Sequence, residues 1–259
     1  MTDLQETVRL ERIEPHIALV TLNRPHARNA VNGEVVVRMQ EVIRETEADA
    51  DCRVVVLTGA GTAFCAGADL KAVAAGRMAE VRSPDGFGGF VFAARTHPWI
   101  AAVNGPALAG GLELALACEM IVAAEGASFG MPEVKRSLVA GSGGLWRLPR
   151  SVPRALAFRM VLTGNPITAQ EAERCGLVNA CVAAEDLLPT ALCLAREIAA
   201  CAPLAVRESM AVVRAAVLAG ERELRDLAWG AVERVKASED FLEGPRAFIE
   251  KRAPRWRGR

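Results

Sequence analysis

The sequence of 259 residues contains no tyrosine and only three histidines, and both shortages narrow the chemistry that it can carry. Without tyrosine, no mechanism that needs a Tyr general acid or a Tyr–Lys pair is open to it. His16, His26 and His97 lie far apart, and no two cysteines have the C-x-x-C spacing of a zinc site. We therefore expect no metal site in this protein.

The chain also lacks an excess of charge and a long apolar run. Lys and Arg total 31 and Asp and Glu total 31, so no overall field favours nucleic acid or an anionic membrane. No apolar run approaches the roughly 18 to 20 residues of a bilayer span, and the first six residues lack the pattern of a signal peptide. Seven cysteines, several in apolar helical patterns, favour reduced thiols. We expect a cytoplasmic protein that binds neither nucleic acid nor membrane.

Apolar periodicity divides the chain into an α/β part and a helical part. Residues 8–13 and 17–22 flank a turn as in a hairpin, Asn32-Gly33 opens a helix, and buried strands are predicted at 53–58, 99–103 and 120–123. From about Arg154 the pattern is mainly helical, with segments at 155–162, 169–174, 187–200, 204–219 and 221–238. Their broad apolar faces predict packing against another subunit as well as the core.

One stretch of the α/β part has the composition of a mobile loop. Gly76 to Gly89 carries Ser-Pro-Asp-Gly, which is typical of turns, and several glycines. We expect an active-site loop here.

Two segments share the order strand, small-residue loop, helix start. They are Val54–Leu70 and Ile100–Glu113. Helix N-termini present unpaired N–H groups and the positive end of the helix dipole, so two of them facing each other would stabilise a developing oxyanion. From the residues alone, tight turns that merely enter helices are an equal alternative.

Two carboxylates stand out by their surroundings. Glu113 lies in the first turn of an otherwise apolar helix, where an isolated charge is costly. It must be paired, solvated on an outward face, or kept for acid–base work with a raised pKa. Glu133 follows Phe129-Gly-Met-Pro132, and its structural alternative is a surface ion pair with Lys135 or Arg136.

Three other features suggest different functions on weaker grounds. Thr58-Gly-Ala-Gly61 begins like a dinucleotide loop, but Phe64 replaces its third glycine. Ala140-Gly-Ser-Gly-Gly144 is one residue from a nucleophile elbow, yet every histidine precedes Ser142, contrary to the order of that triad. The basic tail, residues 251–259, is interpreted as a solvated terminus, with an RNA contact or a cap over phosphates as alternatives.

Four blocks in order along the chain resemble the crotonase (enoyl-CoA hydratase/isomerase) family. They are Asn23-Arg-Pro25 with Arg28-Asn-Ala30, then Ala63–Lys71, Ala102–Glu113 and Phe129–Glu133. The likeness continues through Gly143-Gly144, Leu162-Thr-Gly164 and Glu243–Arg252, and so covers essentially the whole chain.

The resemblance implies an α/β fold in which ββα turns form a spiral, with a helical C-terminal section used in trimerisation. The core would span residues 1–200 and the trimerisation section residues 201–259, in a homotrimer or a dimer of trimers. It also implies that the backbone N–H groups of Ala68 and Gly110 polarise the carbonyl of an acyl-CoA thioester. CoA, as part of the substrate, would contact Ala27, Arg28, Ala66, Gly67, Asp69, Leu70, Lys71 and Gly111, with Phe248 and Lys251 reaching the CoA of a neighbouring subunit. No cofactor is implied.

Glu113 and Glu133 match the two carboxylates with which hydratases of the family hold a water molecule. The resemblance therefore implies an enoyl-CoA hydratase that adds water in syn fashion across the 2,3 double bond, with a carnitinyl-CoA-type dehydratase or an enoyl-CoA isomerase as alternatives. A non-catalytic acyl-CoA-binding protein is the alternative from another class. The family varies most between residues 72 and 96, where Met78, Phe87, Phe90, Val91 and Phe92 predict an apolar acyl pocket.

Overall fold

The computed structural model describes residues 7–217 and 219–259, except for the side chain of Met78. The six N-terminal residues on which the signal-peptide argument rests lie outside the described range. The strands within it are β1 Val8–Glu14, β2 Ile17–Leu22, β3 Val54–Gly59, β4 Arg82–Ser83, β5 Gly86–Phe87, β6 Trp99–Val103, β7 Ala107–Leu108, β8 Met120–Ala124, β9 Ser128–Gly130, β10 Ile167–Thr168 and β11 Ala180–Val182.

The α-helices of the described residues are α1 Gly33–Ala48, α2 Leu70–Ala74, α3 Gly110–Leu116, α4 Gly144–Ser151, α5 Arg154–Thr163, α6 Ala169–Arg174, α7 Leu187–Ala199, α8 Pro203–Ala215, α9 Glu221–Lys236 and α10 Asp240–Ile249. Short 3₁₀ helices span Pro25–Ala27, Met78–Val81, Pro132–Arg136 and Ala184–Asp186. The predicted α/β part followed by a helical part is confirmed, and so are the hairpin, the helix opened by Asn32 and the buried strands.

The main sheet has six strands in the order β1-β2-β3-β6-β8-β11. Only the β1–β2 pair is antiparallel, because a short turn joins those two strands while crossovers join the others. A smaller sheet has the order β10-β9-β7, and β4 and β5 form a two-residue hairpin.

Strand β3 is buried on both faces, which explains its uninterrupted run of β-branched residues. Val54 and Val56 pack toward helix α7, while Val55 and Leu57 join the larger core on the other face, where helix α1 lies. All four side chains are fully buried. A sheet covered on both sides in this way is the usual setting of parallel strands.

The chain leaves β3 and β6 at the same edge of the sheet. These strands are parallel neighbours, with Val55 opposite Trp99 and Thr58 opposite Ala102. Their carboxyl ends therefore lie side by side, and the two small-residue loops that follow them start close together.

The structure differs from the sequence predictions in three of the remaining segments. The segment from Gly76 to Gly89 contains a 3₁₀ turn and the β4–β5 hairpin, so it is more ordered than a glycine-rich loop. Helix α10 was not predicted. The basic tail is not simply solvated, because Trp256 donates its indole N–H to the carbonyl of Ala200 and Asp240 accepts the N–H groups of Arg257 and Gly258.

No single helix among the described residues is both long and apolar enough to cross a membrane. The segments Ala184–Ala199 and Pro203–Ala215 reach that length and hydropathy only when counted together, across a bend of 107°.

Candidate active site

Two bridges hold the small-residue loops against each other and against the start of helix α1. Val31 pairs with Ala68, and Cys65 pairs with Ala107. Gly67 has φ of +93°, and a Cβ atom there would lie 3.3 Å from the backbone nitrogen of Gly110. The absence of a side chain at Gly67 thus lets the loop that carries Ala68 pack directly on the N-terminus of helix α3.

The backbone N–H groups of Ala68 and Gly110 lack a backbone acceptor among the described residues. Gly110 begins helix α3, so its N–H has no partner inside the helix. A side chain at this position is excluded, because a Cβ atom would lie 2.4 Å from the ring of Phe87. Both predicted oxyanion donors are therefore brought to one place with their N–H groups unused.

Glu113 is held by backbone donors and not by an ion pair. Its side chain is buried, and its Oε1 atom accepts the N–H of Ser142 at 2.7 Å and that of Gly144 at 3.0 Å. Both bonds go to one oxygen, so Oε2 remains for a ligand. The segment that looked like a nucleophile elbow thus serves Glu113 through its backbone, which the sequence alone did not show.

Glu133 lies in the 3₁₀ helix Pro132–Arg136 on the other side of the site, and its carboxyl is strongly perturbed. Burial raises the pKa of Glu133 to about 7, and the nearby Glu113 adds to the rise. Its Oε2 atom is buried and has no hydrogen-bond partner among the described residues. The ion pair with Lys135 or Arg136 is not formed, because Lys135 donates to Asn165 and Arg136 only weakens the rise in pKa from a distance.

A cavity of about 530 Å³ joins these groups. Ala68, Gly110, Glu113 and Glu133 all line it. Its lining also includes six of the predicted CoA contacts, which are Ala27, Arg28, Ala66, Asp69, Leu70 and Lys71. One cavity therefore connects the oxyanion donors with both carboxylates and with the surface predicted to bind CoA.

Four predicted CoA contacts do not line this cavity. Gly67 and Gly111 lie behind it as packing positions, and a Cβ atom on Gly111 would lie 2.0 Å from the carbonyl oxygen of Cys65. Phe248 is 85% exposed at the end of helix α10, and Lys251 follows it with φ of 54°. A role for Phe248 and Lys251 at the CoA of another subunit stays a prediction.

An ion pair lies on the side of the site that is predicted to hold CoA. Arg24 donates to Asp69 at 3.1 Å, and Asp69 caps helix α2 by accepting the N–H of Lys71. Partial burial by itself would raise the pKa of Asp69, but these bonds outweigh it and the pKa is lowered. Asp69 therefore remains charged and orients Arg24 at neutral pH.

The acyl side is only partly as predicted. Phe87 lines the cavity, and the side chain of Met78 lies outside what is described. The prediction is wrong for Phe90, Val91 and Phe92. Phe90 packs against Trp99 in the core, while Val91 and Phe92 line a different cavity. Gly88 and Gly89, which follow Phe87, both have positive φ and change the direction of the chain there.

Several cavity residues escaped the sequence reasoning. They are Val81, Arg82, Arg136, Leu138, Val139, Ala140 and Gly141. Val81 and Arg82 lie in the stretch that was predicted as an active-site loop. Arg136 to Ala140 lie in the loop after Glu133, whose sequence resembles family members that act on carnitine-type CoA esters or on steroid side chains, but no role was assigned to any of these residues by itself.

Comparison with known proteins finds similar sequences and similar structures. The family model for enoyl-CoA hydratase/isomerase matches residues 12–259. A carnitinyl-CoA dehydratase of Salmonella typhi is 42% identical over 99% of this chain and 100% of its own length. A solved enoyl-CoA hydratase of Mycobacterium tuberculosis H37Rv superposes with a TM-score of 0.93 at 42% identity, over 98% of this chain and 100% of that one. A solved carnitinyl-CoA hydratase of Mycobacterium avium superposes with a TM-score of 0.77 at 45% identity, over 98% of this chain and 99% of that one.

Proposed function

Because the chain belongs to the enoyl-CoA hydratase/isomerase, or crotonase, family and has its fold, we propose that it adds water across the 2,3 double bond of a 2-enoyl-CoA to give a 3-hydroxyacyl-CoA. The family and the similar proteins make it a hydro-lyase of acyl-CoA thioesters. The observation that carries the finer proposal is that Glu113 and Glu133 line one cavity with the N–H groups of Ala68 and Gly110.

The proposed binding step uses the backbone more than side chains. CoA lies along Ala27, Arg28, Ala66 and the segment from Asp69 to Lys71, and the thioester oxygen accepts the N–H groups of Ala68 and Gly110. These donors act most strongly on an enolate, whose oxygen carries more charge than the thioester carbonyl. Each such donor typically contributes about 100- to 1000-fold in rate.

The proposed chemical step uses the two carboxylates in different protonation states. Water lies between them, and Glu113 takes a proton from it as the oxygen bonds to C3. The π electrons of the double bond move toward the thioester oxygen, and the resulting enolate takes a proton at C2 from Glu133. A pKa of about 7 suits Glu133 to this task, since a group that titrates near the working pH can both give up and regain a proton. Delivery of both parts of water from the same side gives syn addition.

The test is hydration of crotonyl-CoA and of a longer 2-enoyl-CoA, followed by the loss of the conjugated thioester absorbance. Glu113→Gln and Glu133→Gln should each lower kcat by 100-fold or more, while the Kd for the CoA ester changes little because backbone donors and apolar contacts supply the binding. Full activity in either variant would contradict the assignment. Tight binding without turnover by the parent would instead support an acyl-CoA-binding protein without catalysis.

A second candidate is the elimination of water from a carnitinyl-CoA, which the names of the similar proteins favour. The same residues would act in reverse order, so the distinction depends on the acyl pocket. Parallel assays with carnitinyl-CoA and a neutral 3-hydroxyacyl-CoA of equal length separate the two, and a preference for the carnitinyl ester would favour the dehydratase.

We also propose that copies of this chain associate, as a trimer or a dimer of trimers, through the C-terminal helices. Large apolar side chains lie exposed on α9 and α10, namely Trp229, Val232, Phe241, Leu242, Phe248 and Ile249. A monomer rarely leaves so many apolar side chains uncovered on consecutive helices. Light scattering on the purified protein measures the mass directly, and a monomeric mass of 27.6 kDa would contradict this proposal.

A further inference from the structure

Arg28, Arg82 and Arg136 line the active-site cavity, and none of their guanidinium groups has a partner among the described residues. Arg82 and Arg136 are the two that lie outside the predicted CoA contacts. Arg82 lies in strand β4, and Arg136 ends the 3₁₀ helix that carries Glu133. Both residues are exposed, and neither guanidinium forms a hydrogen bond or an ion pair with any residue that the structure describes. Arg24, which also lines the cavity, is by contrast paired with Asp69.

These two cations lie on the glutamate side of the cavity and not on the side predicted to hold CoA phosphates. A Cβ atom on Gly141 would lie 3.3 Å from Nη2 of Arg82, and the next residue, Ser142, donates its N–H to Glu113. Arg136 is close enough to Glu133 to oppose the rise of its pKa. Arg28 and Lys71, by contrast, adjoin Asp69 and Leu70 beside the loop that carries Ala68.

Apolar side chains also line the cavity. Val81, Phe87, Leu138 and Val139 line it, and among the described residues that line the cavity its carboxylates are Asp69, Glu113 and Glu133. Asp69 is already bound to Arg24, and the proposed chemistry occupies both glutamates with water. The guanidinium groups of Arg82 and Arg136 therefore have no carboxylate partner among the described residues of the cavity lining.

We propose that the acyl group carries a carboxylate at its far end, which Arg82 and Arg136 bind, so that the substrate is the monothioester of a 2-enedioic acid. Guanidinium groups bind carboxylates through paired N–H donors, a geometry that a methyl group cannot use. The same charges repel a quaternary ammonium, which counts against a cationic acyl group. This inference rests on the proposed hydration and names its substrate class.

The experiment compares thioesters that differ only at the far end of the acyl chain. One pair is glutaconyl-CoA with trans-2-pentenoyl-CoA, and the other is the hex-2-enedioic monothioester with trans-2-hexenoyl-CoA. We expect the carboxylate to raise kcat/KM about tenfold or more in at least one pair, and we expect 0.5 M salt to reduce that ratio because the pair is partly open to solvent.

Matched variants show whether the two arginines cause the preference. Arg82→Gln and Arg136→Gln should each lower the ratio about tenfold. Arg77→Gln and Lys135→Gln are the matched controls, because each removes one positive charge from a residue that does not line the cavity. Arg77 is bound to Glu80 and Lys135 to Asn165. These two variants should leave the ratio of kcat/KM values within about twofold of the parent's.

The outcomes separate this inference from the function on which it rests. The carboxylate-binding role would be overturned, with hydration left intact, if the neutral thioester of both pairs were turned over as well as its carboxylate partner or better. The same conclusion would follow if all four variants had the same ratio of kcat/KM values. If none of the four thioesters were hydrated, the proposed function itself would be overturned.

Discussion

Replacing Glu133 by Gln removes a carboxyl whose burial opposes ionisation, so we expect Glu133→Gln to stabilise the protein above neutral pH. The pKa of Glu133 rises from 4.5 to about 7 on folding. Between these values the folded state binds the proton that the unfolded state has released, so the free energy of unfolding of the parent falls as pH increases. At 1.36 kcal/mol per pH unit the full effect is at most about 3 kcal/mol, and since part of the side chain contacts solvent we expect about 1 to 2 kcal/mol.

The assay is urea unfolding of the parent and Glu133→Gln at pH 5 and pH 8, at one protomer concentration because subunit association contributes to stability. The variant should be more stable than the parent at pH 8 and nearly equal to it at pH 5, where the parent keeps its proton. Glu125→Gln, at an exposed carboxyl, serves as the control. A pH-independent difference, or a less stable variant at pH 8, would refute the idea that the raised pKa reflects the cost of burying charge.

Three further predictions address the site and its support. Gly110→Ala should lower kcat 100-fold or more, because the added Cβ would lie 2.4 Å from the Phe87 ring. The double variant Gly110→Ala with Phe87→Ala should recover part of this loss. Full activity of Gly110→Ala alone would contradict the need for close packing at this N–H donor. Asn29→Ala should lower the free energy of unfolding by about 2 to 4 kcal/mol, measured by thermal or urea unfolding. The buried Asn29 amide donates to the carbonyl groups of Ala60 and Ala63, its side-chain oxygen accepts the N–H of Arg24, and its backbone φ is 55°. A loss below about 1 kcal/mol would count against this hydrogen-bond network. The kcat/KM of hydration should fall as pH rises through about 7, because Glu133 then loses the proton that it gives to C2. Arg136→Gln should move this fall to higher pH, because Arg136 lowers the pKa of Glu133, whereas Lys135→Gln should not move it. An unchanged pH profile in Arg136→Gln would assign the titration to another group.

Local sequence was enough for the elements whose residues interact mainly with near neighbours. Asn32 caps helix α1 by accepting the N–H of Val35, and the β-branched run of β3 occupies a strand covered on both faces. The resemblance added the family and the general chemistry, since the blocks around Ala68, Gly110, Glu113 and Glu133 are short and in a fixed order. Family and fold are confirmed by the comparisons, while the roles of the site residues stay predictions that the geometry supports.

The acyl side shows where such reasoning fails. Phe90 and Phe92 have the composition of a pocket wall, yet neither lines the active-site cavity, and Gly88 and Gly89, which separate them from Phe87, both have positive φ. Periodicity cannot predict the path of a segment whose glycines permit many backbone conformations.

The sequence by itself therefore determined the main strands and most of the long helices, the small residues that allow close backbone contact, and the presence of Glu113 in an apolar helix. Tertiary structure alone decided that Glu113 is held by the N–H groups of Ser142 and Gly144, 29 and 31 residues away, and that Glu133 loses most of its water and keeps a buried oxygen unpaired. The reason is physical: a pKa and an open N–H group depend on which distant groups and how much solvent lie within a few ångströms, and only the folded chain sets those distances.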